Sequence, residues 1–347
     1  MKNSNILVWL PSPIGDSILC TPALRAIREY FHNSRVCFYA NDAVHRVLTG
    51  SGLNDTWIRQ TSRNPLHIAI LLRRYEFNTA ILFKNSFGSA FAVYLAGIPS
   101  RIGYAREGRA VMLTKKICPP TMADGSYKPL SAVDYYLGLA ELLGCDILRK
   151  NLQLKVEPDD ASRLKMKLGT QITGSAPVVV MVPGGAFGPS KCWPSERFAE
   201  TADRLIEKYN AKVFVSTAPN RAEEQIARQI CAAAKHNIID LRAANISLGE
   251  LKSLISIASL VICNDTGPRH MAIALGRSVV TLFGPNNPAW TETNYDREIK
   301  IRVDVDCSPC DKPRCTANEH YCMEGITVDM VFQAAQKLLE NKVEDAR

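Results

Sequence analysis

The stretch LVICNDTGPRHMAIALGRSVVTLFGP, residues 260–285, reads as a strand, a tight polar loop, a helix and a second strand. An apolar run (260–263) enters the turn Asn264-Asp265-Thr266-Gly267-Pro268, a short helical pattern (269–275) follows, and another apolar run (279–283) closes the unit. Asp265 or Thr266 can cap the helix. Gly267 lets backbone approach a ligand closely, and Pro268 suits a first helical position that has no hydrogen bond to lose. The loop is therefore expected to aim backbone N–H groups and the positive end of a helix dipole at whatever sits above it, which favours phosphate. Arg269 and His270 add donors nearby. The same turn also occurs in α/β folds that bind nothing there, so the pattern alone leaves both readings open.

Working outward, the same grammar recurs. Residues 178–182 form an apolar run that feeds the loop PGGAFGPSKCWP (183–194), and Ser195 is placed to cap a helix carrying Phe198, Ala202, Leu205 and Ile206 on its inner side. The first half opens likewise: residues 6–10, the loop Pro11-Ser12-Pro13-Ile14-Gly15-Asp16, then a helix with Ile18, Leu19, Leu24, Ile27 and Phe31 inward. Each half continues in alternating strands and helices, as two doubly wound α/β domains do. Ligands in such sheets bind outside the carboxyl ends of the strands, so the loops at Asp16, Lys191 and Asp265 are expected to face one cleft. Asp16 by itself reads first as a helix cap. No GxGxxG or Walker pattern is present, which argues against nicotinamide or ATP-hydrolysing chemistry.

The size of 347 residues fits two domains, joined by the charged run 157–173. Apolar content of 46% and charged content of 22% are those of a globular protein, and the net charge is a modest +8, with the basic residues scattered rather than massed in one tail. This argues against a dedicated nucleic-acid binder and permits an anionic substrate or membrane surface. No run approaches the roughly 18 apolar residues of a transmembrane helix, and the chain enters its first strand without a cleavable apolar segment, so a cytoplasmic location is expected. Arg101, Arg106 and Arg109 lie in one loop-rich stretch, readable as solvated charges or as a cationic mouth for an anionic acceptor.

Of the eleven cysteines, several sit singly in apolar runs, where a reduced thiol behaves as a small hydrophobe. Cys307, Cys310, Cys315 and Cys322 instead crowd a polar segment with His320 among them. The first pair has the spacing of a metal knuckle and the second is looser, leaving a structural metal and a reduced Cys-rich loop as alternatives.

Taken together, PSPIGDSILCTPALRAIR (11–28), KNSFGSAFAVYLAGIPSRIGY (84–104), PGGAFGPSKCWP (183–194) and NDTGPRHMAIALGRSVVTLFGPNNP (264–288) resemble the bacterial ADP-heptose lipopolysaccharide heptosyltransferases of glycosyltransferase family 9, the second heptosyltransferase more than the first. The resemblance covers nearly the whole chain. It implies a GT-B fold, two Rossmann-like domains facing a central cleft: an acceptor-binding domain over residues 1–165, an ADP-heptose-binding domain over 175–327, and a last helix (328–347) packing back across the boundary. It implies inverting transfer of L-glycero-D-manno-heptose from ADP-heptose to the lipid A inner core (heptosyl-Kdo2-lipid A), by a protein peripheral at the inner face of the inner membrane, with no cofactor and no catalytic metal required. Matching positions make Asp16 the catalytic base and place Lys191, Asp265, Thr266, Gly267 and His270 at the donor, while Arg101, Arg106 and Arg109 are taken as acceptor-binding.

Two departures stand out. Ser216-Thr217-Ala218-Pro219 replaces a glycine-containing turn, and the acidic donor contact falls on either Glu223 or Glu224. Direct heptosylation of Kdo2-lipid A, a protein acceptor, an epimerase of the same architecture and a non-catalytic nucleotide-sugar-binding scaffold are the competing readings. Some protein-heptosylating relatives carry a cysteine-rich metal finger, which keeps the metal alternative open.

Overall fold

A computed structural model describes residues 4–344. The chain forms two compact units, one running to Lys155 and taking in Ala289–Thr293, the other comprising Val156–Pro288 and the chain from Asn294 onward.

The first unit contains β1 (Asn5–Trp9), α1 (Ile14–Leu19), α2 (Thr21–Tyr30), β2 (Arg35–Ala40), α3 (Asp42–Leu48), β3 (Thr56–Arg59), α4 (Pro65–Arg73), β4 (Thr79–Leu82), α5 (Phe87–Leu95), β5 (Ser100–Tyr104), β6 (Lys115–Ile117) and α6 (Ala132–Leu142). Its six strands are parallel in the order β3-β2-β1-β4-β5-β6, with Leu7 level with Cys37 on one side and Ala80 on the other. The strand order reverses between β1 and β4, where such sheets leave a crevice at their carboxyl ends. Strands covered on both faces read as continuous apolar runs, and Ile6, Leu7, Val8 and Trp9 are all buried. The helix expected after Asp16 is divided: α1 stops at Leu19 and α2 restarts with Pro22 in its first turn. Proline has no N–H to continue an i→i−4 ladder, which accounts for the break.

The second unit repeats the plan with α7 (Pro158–Leu168), β7 (Val178–Val182), α8 (Ser195–Tyr209), β8 (Lys212–Val215), α9 (Arg221–Ala233), β9 (Ile239–Asp240), α10 (Leu248–Ile257), β10 (Leu260–Asn264), α11 (Gly267–Ala274), β11 (Ser278–Phe283), β12 (Glu298–Arg302), α12 (Tyr321–Glu324) and α13 (Val328–Glu344). The strands are again all parallel, in the order β12-β11-β10-β7-β8-β9. The charged run read as a link is largely α7, whose Leu164 and Leu168 are buried and which packs on α10 within this unit. Ser195 is the first residue of α8 rather than its cap, and its hydroxyl bonds Gln229 Oε1 at 3.2 Å. The last helix, α13, lies against α8 and the β10, β11 and β12 strands, and its buried Val331, Ala335 and Leu338 join the core formed by Val179, Phe198 and Leu260. No helix among the described residues is long and apolar enough to cross a membrane.

Candidate active site

In the second unit, buried β10 ends at Asn264, whose side-chain amide donates to the Pro183 carbonyl and so fastens the end of β10 to the loop leaving β7. That bond brings Lys191, in a 3-10 turn over Pro189–Lys191, to the start of α11. Lys191 Nζ donates to the main-chain oxygen of Asp265 at 2.9 Å and to its Oδ2 at 2.8 Å. Asp265 Oδ1 faces Arg269 Nη1 at 3.1 Å, and the Arg269 guanidinium continues to Glu298 through Nε at 2.6 Å and Nη2 at 3.1 Å. The result is a buried chain of alternating charge, Lys191, Asp265, Arg269, Glu298. Burial works against the Asp265 carboxylate, but the cationic Lys191 and Arg269 outweigh it and hold its pKa below the usual value.

Thr266 occupies the N-cap of α11 with extended backbone but without a side-chain capping bond, and Asp265 is committed to Lys191 and Arg269. The expected cap by either side chain is therefore not what these residues do. Gly267 and Pro268 open the helix, so its positive end lies beside Lys191 and Asp265. Arg269 is fully buried and serves the ion-pair chain rather than presenting a donor. His270 is buried with Nδ1 lacking a hydrogen-bond partner, and desolvation pulls its pKa down to about 3, so it is neutral at ordinary pH.

The segment between β12 and α12 reaches the same turn. Ser190 is held at every polar group: its N–H donates to Pro313 O at 3.3 Å, its hydroxyl to Lys312 O at 2.6 Å, and its carbonyl lies 2.7 Å from His320 Nε2. Two backbones approach so closely that a Cβ on Gly188, whose φ is +149°, would stand 2.3 Å from Pro313 O. The cysteine segment is thus a buttress for Lys191. Cys307, Cys310 and Cys315 are exposed and Cys322 is buried. Burial, then the neighbouring Cys307, Cys315 and Cys310, raises the Cys322 pKa. These thiols are neighbours, but among the described residues no three His, Cys, Asp or Glu side chains are gathered as a metal site would need.

Of the two acids left open at α9, Glu223 is the one turned towards the β7 loop. Its Oε2 accepts from Ala218 N at 2.9 Å and lies where a Cβ on Gly184 would be, whereas Glu224 pairs along the helix with Arg228 at 3.7 Å. Sequence spacing cannot separate adjacent residues at a helix start.

In the first unit, Asp16 stands in the first turn of α1, three residues after the N-cap Pro13, and is half-buried. Its charge is felt by two buried neighbours, Cys20 and Tyr136, whose pKa values are raised by burial first and by Asp16 second. A pocket of about 540 Å³ opens at the carboxyl ends of β1 to β4, lined by Ser12, Asn41, Arg63, Lys84, Ser86 and Ser89 among others. The Lys84 ammonium donates to Ser12 Oγ, and burial followed by Arg63 lowers its pKa. Neither cation is singled out by spacing, because they lie in loops that follow different strands.

The three arginines expected to form a cationic mouth are placed differently. Arg109 is fully buried: Nε donates to Tyr104 O at 2.9 Å, Nη2 to Asn85 Oδ1 at 2.8 Å, and Nη1 to Ser89 Oγ and the Lys84 carbonyl. It shapes the pocket wall from behind. Arg101 spends its donors on Met112 O and Ile98 O, each at 2.6 Å, and lies over the Tyr94 ring. Arg106, half-buried, stacks over Tyr127 at 4.3 Å and stands 3.8 Å from Glu107.

Comparison with known proteins agrees with this architecture. The family described as "Glycosyltransferase family 9 (heptosyltransferase)" matches residues 67–321. A lipooligosaccharide heptosyltransferase 2 of Haemophilus influenzae is 27% identical over 96% of this chain and 99% of its own length. A lipopolysaccharide heptosyltransferase 2 of Escherichia coli is 28% identical over 77% of each chain. The solved structure of the E. coli ADP-heptose LPS heptosyltransferase II superposes with a TM-score of 0.80, at 24% identity over 97% of this chain and 99% of that one. The fold is therefore that of the GT-B heptosyltransferases, and the chain belongs to glycosyltransferase family 9, the heptosyltransferase family.

Proposed function

We propose that the protein transfers L-glycero-D-manno-heptose from ADP-heptose to the inner core of lipid A, on heptosyl-Kdo2-lipid A, with inversion at the anomeric carbon. The reading assigns the donor to the second unit and the acceptor to the first. The observation that carries it is the buried Lys191 ammonium set beside the positive end of α11, at the carboxyl ends of β7 and β10. Charge develops on the leaving ADP as the glycosidic bond breaks, and a preorganised cation with a helix N-terminus stabilises that charge. Thr266 and Gly267 offer hydroxyl and backbone N–H to the diphosphate, Asp265 sets the position of Lys191, and neutral His270 adds an uncharged polar group. Asp16 takes the proton of the attacking hydroxyl. Lys84 and Arg63 in the 540 Å³ pocket, with Arg101 and Arg106 nearby in sequence, suit an acceptor bearing phosphate and carboxylate groups, and Arg109 holds the wall that carries Lys84.

The test is incubation with ADP-heptose and defined lipid A core acceptors carrying zero, one or two heptoses, read by mass spectrometry. One heptose added to the one-heptose acceptor, with ADP release that depends on that acceptor, is the expected result. Turnover without acceptor, or addition only to Kdo2-lipid A, overturns the assignment.

A further inference from the structure

The basic residues are scattered through the sequence, but their excess over the acidic ones is local. Residues 63–116 hold nine Lys or Arg against two acids, Glu76 and Glu107, an excess of +7 in a protein whose total is +8. This stretch builds α4 and α5, which pack side by side over one face of the first sheet with Ile68, Leu72, Ala90 and Val93 turned into the core. Their N-termini meet where Pro65 Cγ lies 3.5 Å from the Cβ position of Gly88, and Arg73 bridges to the Leu95 carbonyl at 2.6 Å.

The outward face of this pair is apolar where a surface helix is ordinarily polar. On α4, Leu66 and Ile70 are 56% and 55% exposed, one turn apart. On α5, Phe87 and Tyr94 are each 51% exposed, with Phe91 between them and stacked on Phe87 at 5.8 Å. Val111, in a 3-10 turn against α5, is 88% exposed. Arg63, Arg73, Arg74, Lys115 and Lys116 are exposed on the same stretch, and Arg101 lies 5.4 Å over Tyr94.

We propose that this α4/α5 face docks on a bilayer carrying anionic lipid, with Leu66, Ile70, Phe87 and Tyr94 entering the boundary between headgroups and acyl chains and the surrounding Arg and Lys meeting the headgroups. A second copy of the chain is disfavoured as the occupant, because it would set one strongly basic face against another. The pocket lined by Arg63, Ile68, Ser86 and Gly88 opens at the N-terminal ends of these same helices. A lipid-linked acceptor can thus present its sugars to the pocket while its acyl chains remain in the bilayer. That consequence rests on the transferase reading above, whereas the docking itself does not.

The experiment is co-sedimentation of the full chain with phosphatidylcholine vesicles and with vesicles containing added phosphatidylglycerol. Binding about tenfold tighter to the anionic vesicles at low salt is expected, falling away as salt is raised to about 0.5 M. Two double variants separate the contributions: Ile70→Ser with Tyr94→Ser, and Arg74→Glu with Lys115→Glu. Each is expected to weaken vesicle binding about tenfold, with melting temperature and ADP affinity unchanged as folding controls. Absence of binding by the wild type, or binding by both double variants as tight as that of the wild type, overturns the proposal. So does a wild-type dimer that Ile70→Ser with Tyr94→Ser converts to monomer, since the face then belongs to a second copy. Vesicle binding without heptosyl transfer would count against the function proposed above and leave the docking surface standing.

Discussion

Lys191 Nζ lies 2.8 Å from Asp265 Oδ2, both side chains buried, at the start of α11. A buried ammonium that already has a carboxylate partner is held in place before any ligand arrives, and this is the state in which it can receive a diphosphate without reorganising. Lys191→Ala removes one charge-assisted contact, worth about 1.5–3 kcal/mol, so ADP affinity measured by calorimetry should fall about tenfold or more. Asp265→Asn acts differently. It leaves Lys191 without its counter-charge and breaks the link to Arg269, and denaturant unfolding should show a loss of about 3 kcal/mol. Unchanged ADP affinity in Lys191→Ala would remove the donor assignment.

The buttress on Ser190 gives a second prediction. His320→Ala deletes the donor to the Ser190 carbonyl, 2.7 Å away, and frees the turn that aims Lys191. ADP affinity should drop about threefold to tenfold, the size of one neutral hydrogen bond, with the acceptor KM unmoved. His320→Gln, which keeps an N–H, should restore part of it. Gly188→Ala should cost more, because its Cβ would stand 2.3 Å from Pro313 O at a φ of +149°. If His320→Ala binds ADP as the wild type does while Lys191→Ala does not, the segment is a bystander.

How much of this was legible beforehand depends on the distance over which each relation acts. The strand-loop-helix units at Asp16, Lys191 and Asp265 are local, and apolar runs bounded by Gly and Pro disclose them. The ion-pair chain is not local: Glu298 lies 29 residues from Arg269, and only the β11-β12 register brings it there. Arg109 misleads for the same reason. In a loop of charged residues it reads as exposed, yet carbonyls from residues 84 and 104 converge on it and bury it. Lys84 and Arg63 lie in the loops after different strands, β4 and β3, and meet only when the sheet is folded. The break between α1 and α2 has a local signal in Pro22, but the apolar positions from Ile18 to Phe31 share one face and read as a single helix.

His270 makes the site sensitive to acid. Its folded pKa of about 3 lies below the ordinary value of 6.5, so the unfolded chain binds the proton more readily than the folded one between these values. Stability tied to this group is complete above about pH 6.5 and is lost as pH falls towards 3, at about 1.4 kcal/mol per pH unit. Thermal unfolding between about pH 6.5 and 4.5 should therefore steepen in the wild type and flatten in His270→Gln, which cannot take up that proton. Equal slopes would show that His270 is not buried in its neutral form.

The proposed chemistry turns on Asp16. Pro13, not Asp16, occupies the N-cap of α1, so Asp16→Asn leaves the cap position untouched and removes only a charge from the first turn. That charge is worth about 0.3–1 kcal/mol through the helix dipole, a small change in melting temperature. The general base proposed above would, by contrast, be worth about 10²–10⁴ in rate, because the acceptor hydroxyl sheds its proton as it attacks the anomeric carbon. The two roles separate in one variant. Asp16→Asn should fold, bind ADP like the wild type and lose turnover by at least about a hundredfold, with Asp16→Glu recovering part of the rate if the longer carboxylate still reaches the hydroxyl. A folded Asp16→Asn protein with near-normal transfer would confine Asp16 to the helix dipole and leave the deprotonation to another group.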